Sequence, residues 1–247
     1  MNVENNRIRS LIIVCLSLAL CADVFAFQEV GTQDKVASKQ DKKDSNKSDK
    51  SKKVIQIFNG KDLKGLNILK KSYYEDHGKV KVEKGELIIS KGMPGSGVNV
   101  DPKVFKELPR MNYEVLITAK RIEGGDFFCG LTFPIEKSYC TMILGGWGGG
   151  SIGLSNVDSM SAIENETSEF HEFKNNEWYD IHLIVSEKEI KATLNAKGWK
   201  KKKKLFAIET KEHKYGIWWE QEPARPFGIT TWNTKAAFKK IEIRKLK

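Results

Sequence analysis

The chain has 247 residues and a formal net charge of +10, which raises the question of a nucleic-acid partner. The excess charge is concentrated in a lysine-rich segment before residue 54 and in the stretch KGWKKKKKLF at 197–206. A tether and a turn do not form the basic groove that nucleic acids need, so the charge excludes a typical nucleic-acid-binding domain.

The N-terminus has the pattern of a secretory signal. Arg7 and Arg9 precede the apolar run LIIVCLSLALCA, which leads to the small-residue sequence VFA ending at Ala26. The run is shorter than the roughly 20 apolar residues that a membrane span requires, and no second run follows. We therefore expect residues 1–26 to be a signal peptide. The protein is then exported to the periplasm or the cell exterior, with no stable membrane insertion after cleavage.

Residues 27–53 are predicted to be a disordered tether. Residues 31–53 consist mainly of Lys, Asp, Ser, Gln and Asn, and the only large aliphatic residue among them is Val36. Such a composition cannot form a core. Cys15 and Cys21 leave with the signal, which leaves Cys129 and Cys140 in an oxidising compartment.

Residues 54–247 are predicted to form one all-β domain. Apolar residues recur at every second position, as in WYDIHLIVSEKEIKATLN, where two alternating runs flank the turn SEKE. In chain order, strand patterns occur at GELIIS, NYEVLITAKR, DFFCGLTF, YCTMIL, FGITTW and AFKKIEIRKL, and only DPKVFKELP resembles a helical turn. Many antiparallel strands without βαβ alternation indicate a sandwich or barrel.

The segment GDFFCGLTFPIEKSYCTMILGGW predicts a hairpin that turns at 134–137, with Phe133 opposite Ser138. Alternation assigns one face to the core: Phe127, Cys129, Leu131, Phe133, Cys140, Met142 and Leu144. The other face then holds Asp126, Phe128, Gly130, Thr132, Tyr139, Thr141, Ile143, Gly145 and Trp147. Rings, hydroxyls and a carboxylate on one sheet surface are typical of sugar recognition. Cys129 and Cys140 lie diagonally in this register, which favours two buried thiols over a disulfide.

Trp147 lies in the glycine-rich stretch GGWGGGSIGL, and two interpretations remain open. Its indole either packs against bare glycine backbones or presents a flat surface to a sugar ring. The second interpretation makes Trp147, Tyr139, Thr141 and Trp232 substrate-binding residues. Of the tryptophans at 218, 219 and 232, we expect one or two to be buried.

The loop ENETSEFHEF supplies the remaining candidates. His171 is the best titratable group for a base, although a solvated loop histidine has the same pattern. Glu164 and Glu166 are candidate catalytic carboxylates and Asn165 a candidate substrate ligand, or all three belong to a charged loop without a ligand. The four histidines show no helical pair at metal-ligand spacing, so the metal ligands stay unassigned.

The segment IQIFNGKDLKGL at 55–66 resembles the opening of the bacterial 3-keto-disaccharide hydrolase family. The patterns that follow, including VEKGELIIS, NNEWYDIHLIV and the closing RPFGITTWNTKAAFKKIEIRKL, match that family in order. The resemblance implies a two-sheet antiparallel jelly-roll sandwich of the concanavalin A-like lectin and glucanase type. The chain departs from the family in having Leu66 where many members have Trp. Its middle segment, KSYCTMILGGWGGGSIGLSNVDSMSAIENET, also replaces the Gly-aromatic-Glu-hydrophobic-Gln pattern of many members.

The resemblance also implies chemistry on glycosides oxidised at C3. A keto group there acidifies the C2 proton, so that a base can remove it, the C1 substituent can leave and water can add. Asp126, His171, Glu164 and Glu166 are the candidate groups, and a divalent metal is one means of holding the enolate oxygen. A non-catalytic glycan-binding module of the same fold is the alternative function.

Overall fold

The computed structural model describes residues 54–246, which form two antiparallel β-sheets packed face to face. The predicted signal peptide and tether lie outside the described residues. Within 54–246, no helix is long and apolar enough to cross a membrane.

The first sheet, sheet A, contains eight strands in the order β13-β12-β11-β6-β15-β4-β3, with β1 also paired to β15. The strands are β1 (Val54–Gln56), β3 (Val80–Glu83), β4 (Glu86–Ile89), β6 (Tyr113–Gly124), β11 (Tyr179–Val185), β12 (Glu189–Ala196), β13 (Lys203–Glu209) and β15 (Thr234–Lys245).

The second sheet, sheet B, contains seven strands in the order β10-β9-β8-β7-β14-β5-β2. They are β2 (Leu66–Ile68), β5 (Gly95–Val100), β7 (Cys129–Ile135), β8 (Ser138–Gly146), β9 (Ser151–Ser155), β10 (Glu169–Phe170) and β14 (Gly228–Trp232). Three short 3-10 helices complete the described structure: Ser72–Tyr74, Thr210–Glu212 and Trp219–Ala224. DPKVFKELP forms a turn in which Asp101 O accepts hydrogen bonds from the N–H groups of Val104 and Phe105.

Alternation along the strands places one face of each sheet in a shared core. In β11 the buried residues are Tyr179, Ile181, Leu183 and Val185, and the side chains between them point outward. Val185 pairs with Ile190, which confirms the predicted hairpin of β11 and β12. Burial of apolar surface stabilises the folded state by about 25 cal/mol per Å². The packing of the two sheets against each other is therefore the main contribution to the stability of the domain.

The β7–β8 hairpin has the predicted faces but a different register. Ile135 pairs with Ser138 and Phe133 with Cys140, so the turn contains only Glu136 and Lys137. The strand continues through Pro134 because β14 pairs with β7 only as far as Thr132, so no neighbour requires an N–H from the proline. The shift is two residues, and each side chain therefore stays on its predicted face.

Phe127 and Phe128 are the exception to those predicted faces. Phe128 is fully buried in the main core, while Phe127 packs on the opposite side with Ile143, Ala162 and Trp232. The prediction was wrong here because β7 begins only at Cys129, so strand alternation does not extend into the preceding bend.

Cys129 and Cys140 are both free and buried, which confirms the prediction of two thiols. Observed pairing places Cys129 opposite Leu144 and Cys140 opposite Phe133. Burial raises the pKa of each thiol to about 12, so neither is a ready nucleophile.

Two glycine-containing strands, β5 and β9, have little apolar alternation and are missing from the predicted strands. Glycine is required there by close packing: a Cβ on Gly97 would lie 2.7 Å from Ile229 O, and one on Gly153 would lie 2.5 Å from Ala162 O. Close approach of backbones explains why these strands lack the usual strand composition.

The long connection between β9 and β10 is held by one buried amide. Asn165 Nδ2 donates to the carbonyl oxygens of Leu154 (2.8 Å), Met160 (3.3 Å) and Ser161 (2.7 Å). Its Oδ1 accepts hydrogen bonds from the N–H and the hydroxyl of Thr167. The side chain thus ties the connection to itself and, through Leu154, to β9.

Replacing this amide should destabilise the domain. Asn165→Ala leaves several buried polar groups without partners and is expected to lower the free energy of unfolding by about 2 kcal/mol. Chemical denaturation measures the change. Ser168→Ala, at an exposed position of the same connection, is the control and should change stability by less than about 0.5 kcal/mol. Equal effects of the two substitutions would contradict the assigned role of Asn165.

Candidate functional site

A cleft of about 380 Å³ lies on the face of sheet B that points away from the core. Its walls come from the β6–β7 connection, β8 and the turn after it, the β9–β10 connection, the Trp219–Ala224 helix and the end of β14. The lining residues are Asp126, Phe127, Ile143, Trp147, Ser155, Ser161, Trp218, Trp219, Glu220, Gln221 and Trp232. The cleft thus combines a mainly aromatic wall with two carboxyl groups and a few neutral polar groups.

Asp126 is the predicted catalytic residue that the structure places in this cleft. Desolvation of its half-buried carboxyl raises its pKa, and hydrogen bonds from the N–H groups of Phe127 (2.7 Å) and Trp147 oppose that rise. Within residues 54–246, no cation forms an ion pair with Asp126. A carboxyl in this setting is suited to proton transfer, since its pKa is closer to neutrality than that of an exposed aspartate.

Trp147 occupies a strained turn and remains half exposed. Its φ of +44° lies in the left-handed region, which a bulky residue rarely adopts, and 48% of its surface is accessible. Gly145, Gly148 and Gly149 also have positive φ, so glycines around Trp147 permit the turn. The indole lines the cleft and does not pack as a buried plug against the glycines.

Trp218, Trp219 and Trp232 also lie along the cleft wall. Trp232 stacks on Phe127 with ring centroids 6.0 Å apart and lies 5.6 Å from the ring of Tyr73. Trp219 is 62% exposed and donates its indole N–H to the Tyr73 hydroxyl at 3.0 Å. Trp232, a predicted substrate-binding residue, lies in the cleft lining. The expectation that one or two of the three tryptophans would be buried was wrong, because Trp218 and Trp232 are only partly covered and Trp219 is exposed.

Tyr139 and Thr141 share the sheet face with the cleft, but neither belongs to its lining. The ring of Tyr139 lies between two guanidinium groups, with the Cζ of Arg110 4.6 Å and that of Arg225 5.4 Å from its centroid. Thr141 is buried, and its hydroxyl is hydrogen-bonded to that of Thr132 at 2.9 Å. The structure therefore places both residues in internal contacts.

The loop candidates are also engaged elsewhere. Glu164 accepts hydrogen bonds from the N–H and hydroxyl of Ser161, and Asn165 holds the loop described above. Glu166 Oε1 lies 2.9 Å from Nε2 of His213, whose Nδ1 is 2.7 Å from Asp158 Oδ2. Ser161 itself lines the cleft, so the loop contributes to the site through Ser161 instead of through its carboxylates.

His171 lies outside the cleft lining, in an aromatic cluster. Its ring makes edge contacts with Phe173 (4.8 Å), Trp199 (5.4 Å) and Tyr179 (5.6 Å) between centroids. Burial, and then the charge of Lys203, lower the pKa of His171, so its neutral form is favoured near pH 7.

The described residues offer no donor set for a metal ion. Within 54–246, no group of three or more His, Cys, Asp or Glu side chains is arranged to hold one. The cleft's carboxyl residues are Asp126 and Glu220, and no histidine accompanies them in the lining. This donor set does not fit the divalent metal that the sequence resemblance admits.

Sequence reasoning missed several lining residues: Phe127, Ser155, Ser161, Trp218, Trp219, Glu220 and Gln221. The sequence WWEQEPARP contained a usable signal for part of this set. Two adjacent indoles in a segment with two prolines cannot both follow strand alternation, which indicates a loop that presents at least one of them outside the core. Ser155, at the end of β9, and Ser161, in the connection after it, carry no such signal, since only folding brings them to the cleft.

Comparison with known structures supports the fold. Crh5 transglycosylase in complex with NAG has a TM-score of 0.51 at 7% identity, over 78% of this chain and 84% of that chain. The lumenal domain of VIP36 in its Ca²⁺/Man3GlcNAc-bound form has a TM-score of 0.47 at 8% identity, over 74% and 84% of the two chains. At these identities the likeness to Crh5 transglycosylase shows a shared fold alone, and the predicted concanavalin A-like jelly roll is confirmed.

No curated protein matches the sequence. A family model described as a 3-keto-alpha-glucoside-1,2-lyase-like domain, by contrast, matches residues 53–244, which include nearly all of both sheets and every residue of the cleft. The chain therefore belongs to the carbohydrate-active family of 3-keto-alpha-glucoside-1,2-lyase-like domains.

Proposed function

We propose that this domain is an exported enzyme that cleaves 3-keto-glycosides in the cleft on sheet B, with Asp126 as the base. The observation that carries this proposal is a half-buried carboxyl with a raised pKa beside an exposed indole. Membership of the lyase-like family supplies the reaction class.

The chemistry needs only one base at the start. The Asp126 carboxylate removes the C2 proton, and the C2–H electron pair forms an enolate with the C3 carbonyl. When the enolate collapses, the C3 carbonyl re-forms, a C1=C2 double bond is created and the C1–O bond breaks. The leaving oxygen takes a proton, for which protonated Asp126 is one source. Addition of water across C1=C2 then gives the free 3-keto sugar.

Neutral groups of the cleft suit the developing enolate. The hydroxyl of Ser155 is a potential donor, and Gln221 is held by a hydrogen bond from Thr230 to its Oε1 at 2.7 Å. Because that bond uses the amide oxygen, the Gln221 NH₂ group remains a donor. Such fixed donors stabilise charge that appears in the transition state more effectively than mobile water does.

The aromatic wall suits the rest of the glycoside. Trp147 and Trp219 expose apolar rings to the cleft, and the C–H face of a pyranose packs well against such rings. These rings also favour the second candidate function, a non-catalytic glycan-binding module. The two functions differ in one respect, since only the enzyme needs Asp126 to accept a proton.

Asp126→Asn tests the assigned base. The amide keeps an oxygen that accepts the hydrogen bond from the Phe127 N–H, but it cannot accept the C2 proton. We expect turnover of p-nitrophenyl 3-keto-α-glucoside to fall by about 10²- to 10⁴-fold. NMR in D₂O measures exchange at C2 and release of the leaving group together.

Matched variants decide between the remaining assignments. His171→Ala should retain proton exchange at C2. If His171→Ala loses this exchange completely while Asp126→Asn keeps full activity, Asp126 is not the base. If the unmodified protein broadens the sugar signals, with neither exchange nor product, the domain is a binding module.

The pH dependence provides an independent prediction. A base works only when deprotonated, so kcat/KM should rise with pH through the pKa of Asp126, which burial holds above its ordinary value of 3.8. Stopped assays from about pH 4 to pH 8 measure this acidic limb. Its midpoint should lie above 3.8, and activity that falls as pH rises over this range would contradict a carboxylate base.

A further inference from the structure

Arg121 connects sheet A to the turn that carries Trp147. It lies near the end of β6, and its guanidinium donates to three oxygen atoms from two separate parts of the chain. Nη1 donates to Gly149 O at 2.9 Å, Nε to Asn175 Oδ1 at 2.7 Å, and Nη2 to Phe173 O. The side chain therefore fastens the turn to the loop that follows β10.

The turn is built to accept this contact. Gly149 has a φ of +101°, and a Cβ there would lie 2.6 Å from Nη1 of Arg121. The carbonyl that accepts this hydrogen bond lies two residues after Trp147. Arg121 therefore contacts the chain immediately beside the residue with the strained conformation.

The left-handed conformation of Trp147 requires contacts that hold it in place. A non-glycine residue in the left-handed region costs about 1–2 kcal/mol, and this conformation persists only where surrounding contacts enforce it. The flanking glycines permit the turn but do not enforce it. The planar fork of an arginine binds several acceptors at fixed angles, which a single ammonium group cannot reproduce.

We infer that Arg121 is a positioning residue for Trp147 and holds the indole, across the two sheets, in the orientation that the cleft uses. This inference rests on the proposed function insofar as Trp147 contacts the ligand. Its structural part concerns the turn alone and can be tested without a ligand.

The first test is amide hydrogen exchange of residues 146–150 in the purified protein. Arg121→Met should speed exchange in this turn by about tenfold or more, because local opening becomes easier. Arg110→Met is the matched control. Arg110 also donates to two carbonyl oxygens, those of Glu136 and Ser138, but it holds the opposite end of the β7–β8 hairpin. Unchanged exchange at 146–150 in Arg121→Met, or equal acceleration there in Arg110→Met, would overturn the inference.

The second test is a double-mutant cycle on kcat/KM for p-nitrophenyl 3-keto-α-glucoside. Arg121→Met alone should lower kcat/KM by about tenfold or more. In a Trp147→Ala background the same change should have less than a twofold effect, since the ring to be positioned is gone. Arg121→Lys should recover only part of the loss. Losses that multiply in the double variant would show that Arg121 does not act through Trp147.

The two tests separate the inference from the proposed function. If the unmodified protein shows no turnover, the proposed function fails, and hydrogen exchange alone decides whether Arg121 positions the turn. If turnover is present while exchange in the turn does not respond to Arg121→Met, the inference fails and the proposed function stands.

Discussion

Burial of one face of each sheet against the other decides which side chains of this domain can meet a ligand. The inner faces hold the large apolar residues, and the outer face of sheet B is thereby left for polar and aromatic groups. Because strand side chains alternate, Cys129 and Leu131 can point inward only if Gly130 and Thr132 point outward. The cleft is thus a consequence of how the core forms.

The side chains that define the cleft come from connections more than from strands. Asp126 precedes β7, Trp147 follows β8, and Trp218 and Trp219 lie in and beside the helix before β14. Connections are free of the alternation that strands impose, so they can present several large rings to one space. The strands of sheet B form the base of the cleft, and the connections carry most of the side chains that line it.

Asp126 and Trp147 lie together in the lining of the cleft. Burial is the main influence on the Asp126 carboxyl and raises its pKa, whereas hydrogen bonding from the backbone, including the Phe127 N–H at 2.7 Å, favours the ionised form. The turn after β8 is strained at Trp147, and Arg121 contacts this turn through Gly149 O. The candidate base and the exposed indole are thus held by contacts to different parts of the chain.

Much of the fold could be predicted from the sequence, because alternating apolar residues and turn residues report local structure directly. The β11–β12 hairpin, the core face of β7 and β8 and two free thiols are examples. The glycine-containing strands β5 and β9 were missed, because their glycines are required where two backbones approach closely, and that approach exists only after folding.

The candidate site was only partly predictable for the same reason. Asp126 and Trp147 stand just outside β7 and β8, where alternation no longer assigns faces, so the conformations of the adjoining connections place them in the cleft. His171 and Asn165 are polar loop residues with nothing local to indicate direction, and packing placed one among aromatic rings and the other inside its loop. The sequence by itself determined the strands and their buried faces, because these depend on neighbours in the chain. Only the tertiary structure decided which loops meet at the cleft and that Arg121 reaches the Trp147 turn, because those contacts join segments far apart in sequence.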